Sequence, residues 1–206
     1  MKDLNNILEK TLALFKRYGT RSVTMDDIAH EMGMSKKTLY QEFTDKDDLI
    51  NSVIDFDMEQ SRVFLEQVHQ SEFNAVQELF IFNRRMHSVY TLYSPTFYFD
   101  LKRYYPQVYQ RWIENKRTRM YNVITENLRK GKQEGVYREE IDEHIIGRLH
   151  IARMEMLEGN DLIEAHERLS KEFIQEVFTY HLHGICNEQG LKLLTLERDS
   201  FKQQTM

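Results

Sequence analysis

Residues 24–43 constrain the fold more than any other stretch, because they place a helix cap on each side of a glycine. The run reads TMDDIAHEMGMSKKTLYQEF, and Thr24 stands three residues before Asp27 in the spacing of a capping box. Gly33 suits a tight turn, since glycine adopts left-handed backbone angles without steric strain. Ser35 then stands where a second helix would begin. The pattern predicts two short helices joined by a tight turn.

The second of these helices has one apolar side. Leu39 and Phe43 are four residues apart, so they share a face and point inward. The side chains left outside are Lys36, Lys37, Thr38, Tyr40 and Gln41. A short helix with basic and hydroxyl groups at its N-terminal end fits the major groove of DNA. An ordinary helical hairpin is the alternative, and the agreement of caps, turn glycine, inward pair and exposed basic groups favours DNA binding.

The run from Tyr18 to Ile50 resembles the DNA-binding domain of the TetR family of transcriptional regulators. The family pattern has a glycine after the first helix, a threonine before the second and Ile-Ala near its middle. A G-V-S-x-x-T-L-Y turn and recognition helix follow, and then F-x-x-K-x-x-L. Every position matches except the valine, which Met34 replaces, while Lys37 stands where a small residue is common and Asp45 where serine is usual.

The resemblance implies an all-α protein with an N-terminal trihelical helix-turn-helix domain, residues 1–46, and a larger helical domain for effector binding and dimerisation, residues 47–206. It implies a regulator, usually a repressor, that binds a palindromic operator on double-stranded DNA as a homodimer. A small-molecule effector would release it. The sequence does not show the sign of the regulation.

The motif positions also imply residue roles at the DNA. Lys36, Lys37 and Thr38 are assigned to base edges or nearby phosphates. Phosphate positioning, which sets register but not sequence, is assigned to Thr24, Tyr40 and Lys46. Ser35 completes the predicted DNA-binding set.

Apolar periodicity predicts helices along the rest of the chain, with no alternating strand pattern. The predicted helices cover residues 3–18, about 46–69, 73–92, a short segment between Pro95 and Pro106, 108–131, 141–156 and about Leu162 to Ile185. The resemblance implies that the last two helices pair with their copies in a four-helix bundle.

The final helix carries a wide apolar stripe of Leu162, Leu169, Phe173, Val177 and Tyr180, which Ile174 and Phe178 widen further. A stripe wider than about 100° indicates burial on more than one side. Either the core of one monomer or a dimer interface would bury this stripe. The two-fold symmetry of operators favours the dimer interface. The predicted interface residues are Ile145, Leu149, Met156, Leu169, Phe173, Val177 and Tyr180.

Aromatic residues are concentrated between Tyr90 and Trp112. They fill a core or line a pocket, and apolar walls with a few polar tips are typical of small-molecule sites. The resemblance implies an effector pocket here, for an apolar or aromatic ligand of moderate size. The candidate lining residues are Met86, Tyr90, Tyr93, Phe99, Trp112, Met120, His150 and Met154, each with core packing as its alternative role.

The net charge of −5 does not by itself favour a nucleic-acid partner. Within residues 1–50 acidic side chains slightly outnumber basic ones, yet Arg21, Lys36, Lys37 and Lys46 surround the proposed contact face. The placement of these four charges matters more than the net charge, because screening limits the range of exposed charges to about 8 Å at physiological salt. We therefore expect weak non-specific DNA affinity.

The chain has neither a signal-peptide pattern nor an apolar run of membrane-spanning length, so we expect a cytoplasmic protein without a membrane partner. Its one cysteine, Cys186, excludes an internal disulfide; a small buried hydrophobe is the first interpretation and redox sensing the alternative.

Enzyme signatures are missing from the sequence. The eight histidines form no HExxH motif, and there is no Gly-rich phosphate loop or GxSxG. We expect no enzymatic activity, cofactor or metal site. A helical dimeric ligand-binding or scaffold protein without sequence-specific DNA binding is the alternative to a regulator, and the Lys36–Tyr40 surface is evidence against it.

Overall fold

The computed structural model describes residues 4–158, 163–168 and 170–194, and for residues 86–92, 157, 158, 165 and 168 it describes the backbone alone. The helices are α1 (Leu4–Tyr18), α2 (Met25–Glu31), α3 (Lys36–Glu42), α4 (Lys46–His69), α5 (Ala75–Leu92), α6 (Pro95–Tyr104), α7 (Pro106–Gln133), α8 (Glu143–Glu158), α9 (Ala165–Arg168) and α10 (Lys171–Ile185). Residues 188–194 are also helical. The predicted all-α class is confirmed, and its one irregular pairing among the described residues is a bridge between Tyr137 and Cys186.

Proline sets two of the helix starts. Pro95 begins α6 and Pro106 begins α7, as the sequence predicts, because a residue without an N–H fits the first turn of a helix. Ser94 caps α6, since its side chain accepts a hydrogen bond from the backbone N–H of Phe97 at 3.2 Å. No described helix has both the length and the apolar content needed to cross a bilayer.

The prediction of one helix from about Leu162 to Ile185 is wrong, because α9 and α10 are separate helices. Ser170 has extended backbone angles, and its hydroxyl accepts from the backbone N–H of Phe173 at 3.2 Å. A serine that bonds the backbone in this way starts a new helix instead of continuing the old one. Leu162 and Leu169, both predicted for the apolar stripe, lie outside the described residues.

The chain forms two compact units, and the first contains Met1–Phe64 and Thr91–Lys116. Its core includes Phe15 of α1, Ile28 of α2 and Leu39 of α3, all with no exposed surface. These three side chains hold the first three helices together. The predicted domain boundary after residue 46 falls inside this unit, at the start of α4, and stays a prediction.

Helix α6 lies against α1 within the first unit. It buries Phe97, Asp100 and Leu101, which share one helical face, and the backbone N–H of Ser94 donates to the Lys16 carbonyl at 2.8 Å. Gly19 permits the close approach: a Cβ there would stand 2.5 Å from the Asp100 carboxylate, and its φ of +84° lies in the left-handed region. The end of α1 is therefore fixed against α6.

The second unit contains Leu65–Tyr90 and Arg117–Met206. Its most buried large side chain is Tyr137, whose hydroxyl donates to Asn127 Oδ1 at 3.1 Å. The Asn127 amide donates to Glu78 at 2.8 Å, and Lys130 forms an ion pair with the same carboxylate at 2.6 Å. Every member of this network has a partner, which is the condition under which buried polar groups are compatible with a stable core.

A histidine pair joins α8 and α10 in the second unit. His150 and His181 are both buried, and His150 Nδ1 lies 3.1 Å from His181 Nε2. Burial lowers the pKa of His150 well below its usual value and lowers the pKa of His181 to about 3, with the Arg153 charge acting in the same direction. Both rings are therefore neutral at neutral pH, and they fix which sides of α8 and α10 face each other.

Candidate nucleic-acid interface

The start of α2 carries the predicted capping box, which is confirmed. The Thr24 hydroxyl accepts from the Asp27 N–H at 3.2 Å and donates to the Asp27 carboxylate at 2.7 Å. The Thr24 backbone N–H also donates to that carboxylate, at 2.8 Å. These bonds from Thr24 hold the pKa of Asp27 below its ordinary value, so the cap is charged and intact at neutral pH. Both polar groups that Thr24 would offer to a phosphate already have partners within the cap.

The corner between α2 and α3 is built as the sequence predicts. Gly33 has a φ of +57°, in the left-handed region, and the Met34 N–H reaches back to the Ala29 carbonyl at 2.9 Å. Ser35 caps α3, because its side chain accepts from the Thr38 N–H at 3.1 Å. The two hydroxyls of Ser35 and Thr38 lie 2.8 Å apart in a hydrogen bond with each other.

Helix α3 is anchored by one side and exposed on the other. Leu39 is fully buried and Phe43, at its C-cap, is 4% exposed. The predicted exposed set is found at the surface; it consists of Lys36, Lys37, Thr38, Tyr40 and Gln41. Because the anchors are rigid, the exposed groups keep fixed positions relative to the rest of the corner.

One of the exposed lysines is paired across the corner. Lys36 Nζ lies 3.0 Å from Asp26 Oδ1, and the hydrogen bond from this ammonium to Asp26 raises the pKa of Lys36. Both side chains are more than half exposed, so solvent screens the pair and it contributes little to stability. Binding a phosphate through Lys36 would require the lysine to leave Asp26 or to share its ammonium donors.

Lys46 stands at the start of α4 and is half-buried. Its ammonium donates to the backbone carbonyl of Arg21 at 3.2 Å. Burial lowers the pKa of Lys46, and the nearby carboxylates of Asp100 and Asp47 act in the opposite direction. The ammonium has three donor hydrogens, so this bond leaves capacity for a further acceptor.

Sequence reasoning missed two residues beside this surface. Asp100 and Tyr104 of α6 bond to Arg21 from 79 and 83 positions along the chain. No local spacing signal links residues so far apart. Asp100, an acidic residue on the apolar face of α6, is the only hint that the sequence offers of a buried partner.

The predicted dimer residues are divided between exposed and half-buried positions. Ile145 and Leu149 of α8 are 63% and 59% exposed, and Tyr180 of α10 is 81% exposed. The half-buried members are Met156, Phe173 and Val177. Ile174 and Phe178, which widen the stripe, are buried on the adjoining face of α10.

The predicted pocket residues are mostly buried, and they are distributed over both units. In the first unit, the Tyr93 and Trp112 rings lie 5.9 Å apart, and each donates to the buried carboxylate of Asp57, at 2.7 and 3.2 Å. Phe99 is 60% exposed instead, because α6 buries its Phe97 and Leu101 side. In the second unit the buried candidates are Met120, His150 and Met154. The side chains of Met86 and Tyr90 lie outside the described ones.

Residues 7–53 match the family model described as "Bacterial regulatory proteins, tetR family". Two proteins from strains of Mycobacterium tuberculosis, each called an uncharacterized HTH-type transcriptional regulator, are 42% identical to this chain over 50 residues. That match spans 24% of this chain and 21% of each relative, so it covers only a small part of either protein.

Solved structures extend the likeness to the fold of the whole chain. A TetR-family regulator from Streptomyces coelicolor is 22% identical, with a TM-score of 0.63 over 86% of this chain and 90% of that one. One from Cytophaga hutchinsonii is 17% identical, with a TM-score of 0.66 over 88% and 94%. A gamma-butyrolactone receptor, an ArpA-like protein, is 15% identical, with a TM-score of 0.60 over 96% and 94%.

The helix-turn-helix built around Gly33 and the family match over it lie in the same segment, and the helical architecture behind them is that of solved family members. This is a family of DNA-binding regulators, not of enzymes. Residues 7–53 therefore match the helix-turn-helix segment of the TetR family of bacterial transcriptional regulators, and the chain as a whole shares the fold of solved members.

Proposed function

We propose that this chain is a TetR-type regulator, a cytoplasmic repressor that binds a palindromic operator as a homodimer and is released by a small apolar or aromatic ligand. The observation that carries the DNA-binding part is α3, whose Leu39 and Phe43 anchors leave Lys37 and Tyr40 exposed beside the capped corner. A rigid helix that presents cationic and hydroxyl groups fits the major groove and its phosphates. Lys36, Lys37 and Thr38 are proposed to contact base edges or nearby phosphates. Thr24, Tyr40 and Lys46 are proposed to position phosphates, Thr24 by sharing its cap bonds, and Ser35 completes the set.

The proposed dimer face is the outer side of α8 and α10. The His150–His181 contact packs the two helices side by side, so Leu149 and Tyr180, each one position earlier in the sequence, point elsewhere and are exposed. Together with Ile145 they present a large apolar surface that a monomer would leave in water. Such surfaces are typical of protein–protein interfaces, and a two-fold axis would bury the same patch on both copies.

Gly184 extends the face along α10. It is exposed, and a Cβ built there would meet no atom within 4 Å. By helical periodicity it lies on the same side as Tyr180 and Val177. A position with no side chain lets the backbone of a second helix approach closely, which suits a helical dimer.

The proposed effector chemistry rests on the aromatic cluster of the first unit. Tyr93, Trp112 and Phe97 are buried in mutual ring contact, with the Tyr93 and Trp112 polar tips turned to Asp57. Apolar walls with few oriented polar groups suit a ligand of low polarity. The gamma-butyrolactone receptor among the structures of this fold supports a small organic effector.

Selection from a random duplex library by the full-length protein tests the DNA-binding part. We expect recovery of an inverted-repeat sequence, a footprint over both half-sites, and a complex of two chains per duplex by sedimentation. Recovery of no preferred sequence by a folded, dimeric protein would contradict this proposal and favour a ligand-binding scaffold.

A thermal-shift screen of lactones and small aromatic compounds tests the effector part. A ligand at about 100 times its Kd stabilises the folded protein by about 2.7 kcal/mol, which is readily measured. The same compound must weaken operator binding, because a ligand shifts a conformational equilibrium only through unequal affinity for the two states. A compound that stabilises the protein and leaves operator affinity unchanged would contradict release by that ligand.

A further inference from the structure

Arg21 lies between α1 and α2 and is held by its backbone from two directions. Its N–H donates to the Asp100 carboxylate of α6 at 2.8 Å, and its carbonyl accepts from the Lys46 ammonium of α4 at 3.2 Å. Asp100 is 4% exposed and so cannot move far. The position of the Arg21 backbone is therefore fixed by two other helices.

The Arg21 side chain is exposed but oriented. Its guanidinium carbon lies 4.6 Å from the centre of the Tyr104 ring, and one of its nitrogens donates to the Tyr104 hydroxyl. Stacking on an aromatic face restricts the rotamers of arginine without neutralising its charge. A guanidinium has five N–H donors, and one bond to a phenol leaves the others for an anion.

The surroundings of Arg21 suit a DNA phosphate. The contact between the Lys46 ammonium and the Arg21 carbonyl brings two cationic residues to the same place, three residues before the Thr24 cap of α2. This is the edge of the helix-turn-helix from which phosphate contacts set the register of a recognition helix. Arginine also binds a phosphate through two parallel hydrogen bonds, which a lysine cannot do.

We propose that Arg21 binds a backbone phosphate of the operator and that Tyr104 of α6 is its positioning residue. This rests on the proposed DNA binding, and it adds a contact outside the two helices of the helix-turn-helix. Tyr104 acts through Arg21 and does not itself touch DNA. A helix outside the trihelical domain thereby takes part in operator binding.

The test uses the duplex that the full-length wild-type protein recovers from a random library, and measures its Kd by fluorescence anisotropy across a salt series. Arg21→Ala is expected to flatten the dependence of log K on log salt by about 0.9 for each protomer, since one phosphate contact is lost per copy. Arg62→Ala is the matched control. It removes an exposed arginine that pairs with Glu59, about 24 Å along α4 from Lys46, and its salt slope is expected to equal that of wild type.

Tyr104 is tested by a double-mutant cycle. Tyr104→Ala is expected to weaken binding about two- to tenfold per protomer, because the arginine must then be ordered on binding. In the Arg21→Ala background the same change is expected to have no further effect, whereas a merely structural role for Tyr104 would persist there. Tyr104→Phe keeps the ring, so its loss of DNA affinity is expected to be smaller than that of Tyr104→Ala. The same cycle is run with Tyr104→Phe if Tyr104→Ala does not fold.

The possible failures are distinct. If the wild-type protein recovers no duplex, the proposed DNA binding fails and the inference with it. If wild type binds and Arg21→Ala has the salt slope of the Arg62→Ala control, the phosphate contact is disproved while DNA binding stands. If Tyr104→Ala weakens binding equally with and without Arg21, the positioning role is disproved alone.

Discussion

Helices α3 and α10 each bury one side and expose the other, but what they expose differs in kind. α3 shows solvent two lysines, a threonine and Tyr40, which is 44% exposed. α10 shows Tyr180, which is 81% exposed, in line with the half-buried Val177 and Phe173. The buried sides are both mainly apolar, with His181 as the polar member on α10, so the cores distinguish the two helices little. The exposed sides do. The cationic groups of α3 suit a polyanion, whereas α10 carries an apolar strip ending in Tyr180 beside its polar exposed positions, and such a strip suits another protein chain.

The two helices also differ in how they are held. α3 has seven residues, too few for a helix to be stable alone, and depends on the Ser35 cap and the Gly33 corner. α10 has fifteen residues and is fixed along its length by Ile174, Phe178 and Leu182. A short, capped helix fixes a few side chains accurately, whereas a long one presents a continuous strip. The first arrangement is suited to reading bases and the second to pairing with a copy.

The largest effect is expected from charging the α10 surface. Tyr180→Glu places a carboxylate in the proposed dimer face twice, once per copy, and a central interface residue contributes about 2 kcal/mol or more. The dimer dissociation constant is then expected to rise about 10³-fold, as measured by sedimentation velocity at several concentrations.

Gln175→Glu is the matched control for Tyr180→Glu, because it adds the same charge at an exposed position on the other side of α10. It is expected to leave the dimer intact. If both variants dissociate alike, or neither does, the apolar side of α10 is not the dimer face.

The next effect is expected at α3. Lys37→Ala removes the proposed base-edge contact, and a good base contact is worth about 1–3 kcal/mol of discrimination. Affinity for the selected operator is expected to fall about 5- to 150-fold per half-site, while affinity for unrelated duplex changes little. The selected sequence itself is expected to change at one position in each half-site. Lys10→Ala, an exposed lysine on α1, provides the control. An equal loss on all sequences would make Lys37 a phosphate contact instead.

Lys46→Ala is expected to lower DNA affinity without changing sequence preference, in contrast to Lys37→Ala. Loss of one phosphate contact per protomer flattens the salt dependence by about 0.9 for each copy and weakens all duplexes alike. A repeated library selection with this variant is expected to return the wild-type sequence. A changed sequence preference would assign Lys46 to base reading.

The smallest effect is expected from Asp26→Asn. It frees Lys36 from an exposed ion pair and removes a negative charge beside the DNA surface. We expect the melting temperature to stay close to that of wild type and DNA affinity to rise about two- to fivefold at low salt. A fall in affinity would show that the Asp26 bond holds Lys36 in its binding position. Thermal melts and anisotropy on the same samples separate the two quantities.

Sequence reasoning predicted the parts of the molecule that depend on neighbouring residues. The Thr24 and Ser35 caps and the Gly33 turn form through contacts three to five positions apart, so their spacing was visible in the sequence. Sequence reasoning missed the Ser170 cap at the start of α10, because a serine at that position also fits the helical period.

The long-range polar contacts could not be predicted. Asp100 reaches Arg21 across 79 positions, and His150 reaches His181 across 31. Periodicity assigns residues to a face but does not say which two faces meet. The pairing follows from the packing of whole helices, which a single sequence does not specify locally.

The packing of Gly131 under Tyr137 has a consequence for genetics. A Cβ at residue 131 would stand 2.0 Å from the Tyr137 ring, which is fully buried and held by Asn127. Helix propensity by itself would favour alanine over glycine by about 1 kcal/mol. Any loss of stability in Gly131→Ala therefore comes from the collision with Tyr137. Gly131→Ala is consequently a rational choice for a temperature-sensitive allele, one whose protein folds in the cold and unfolds on warming.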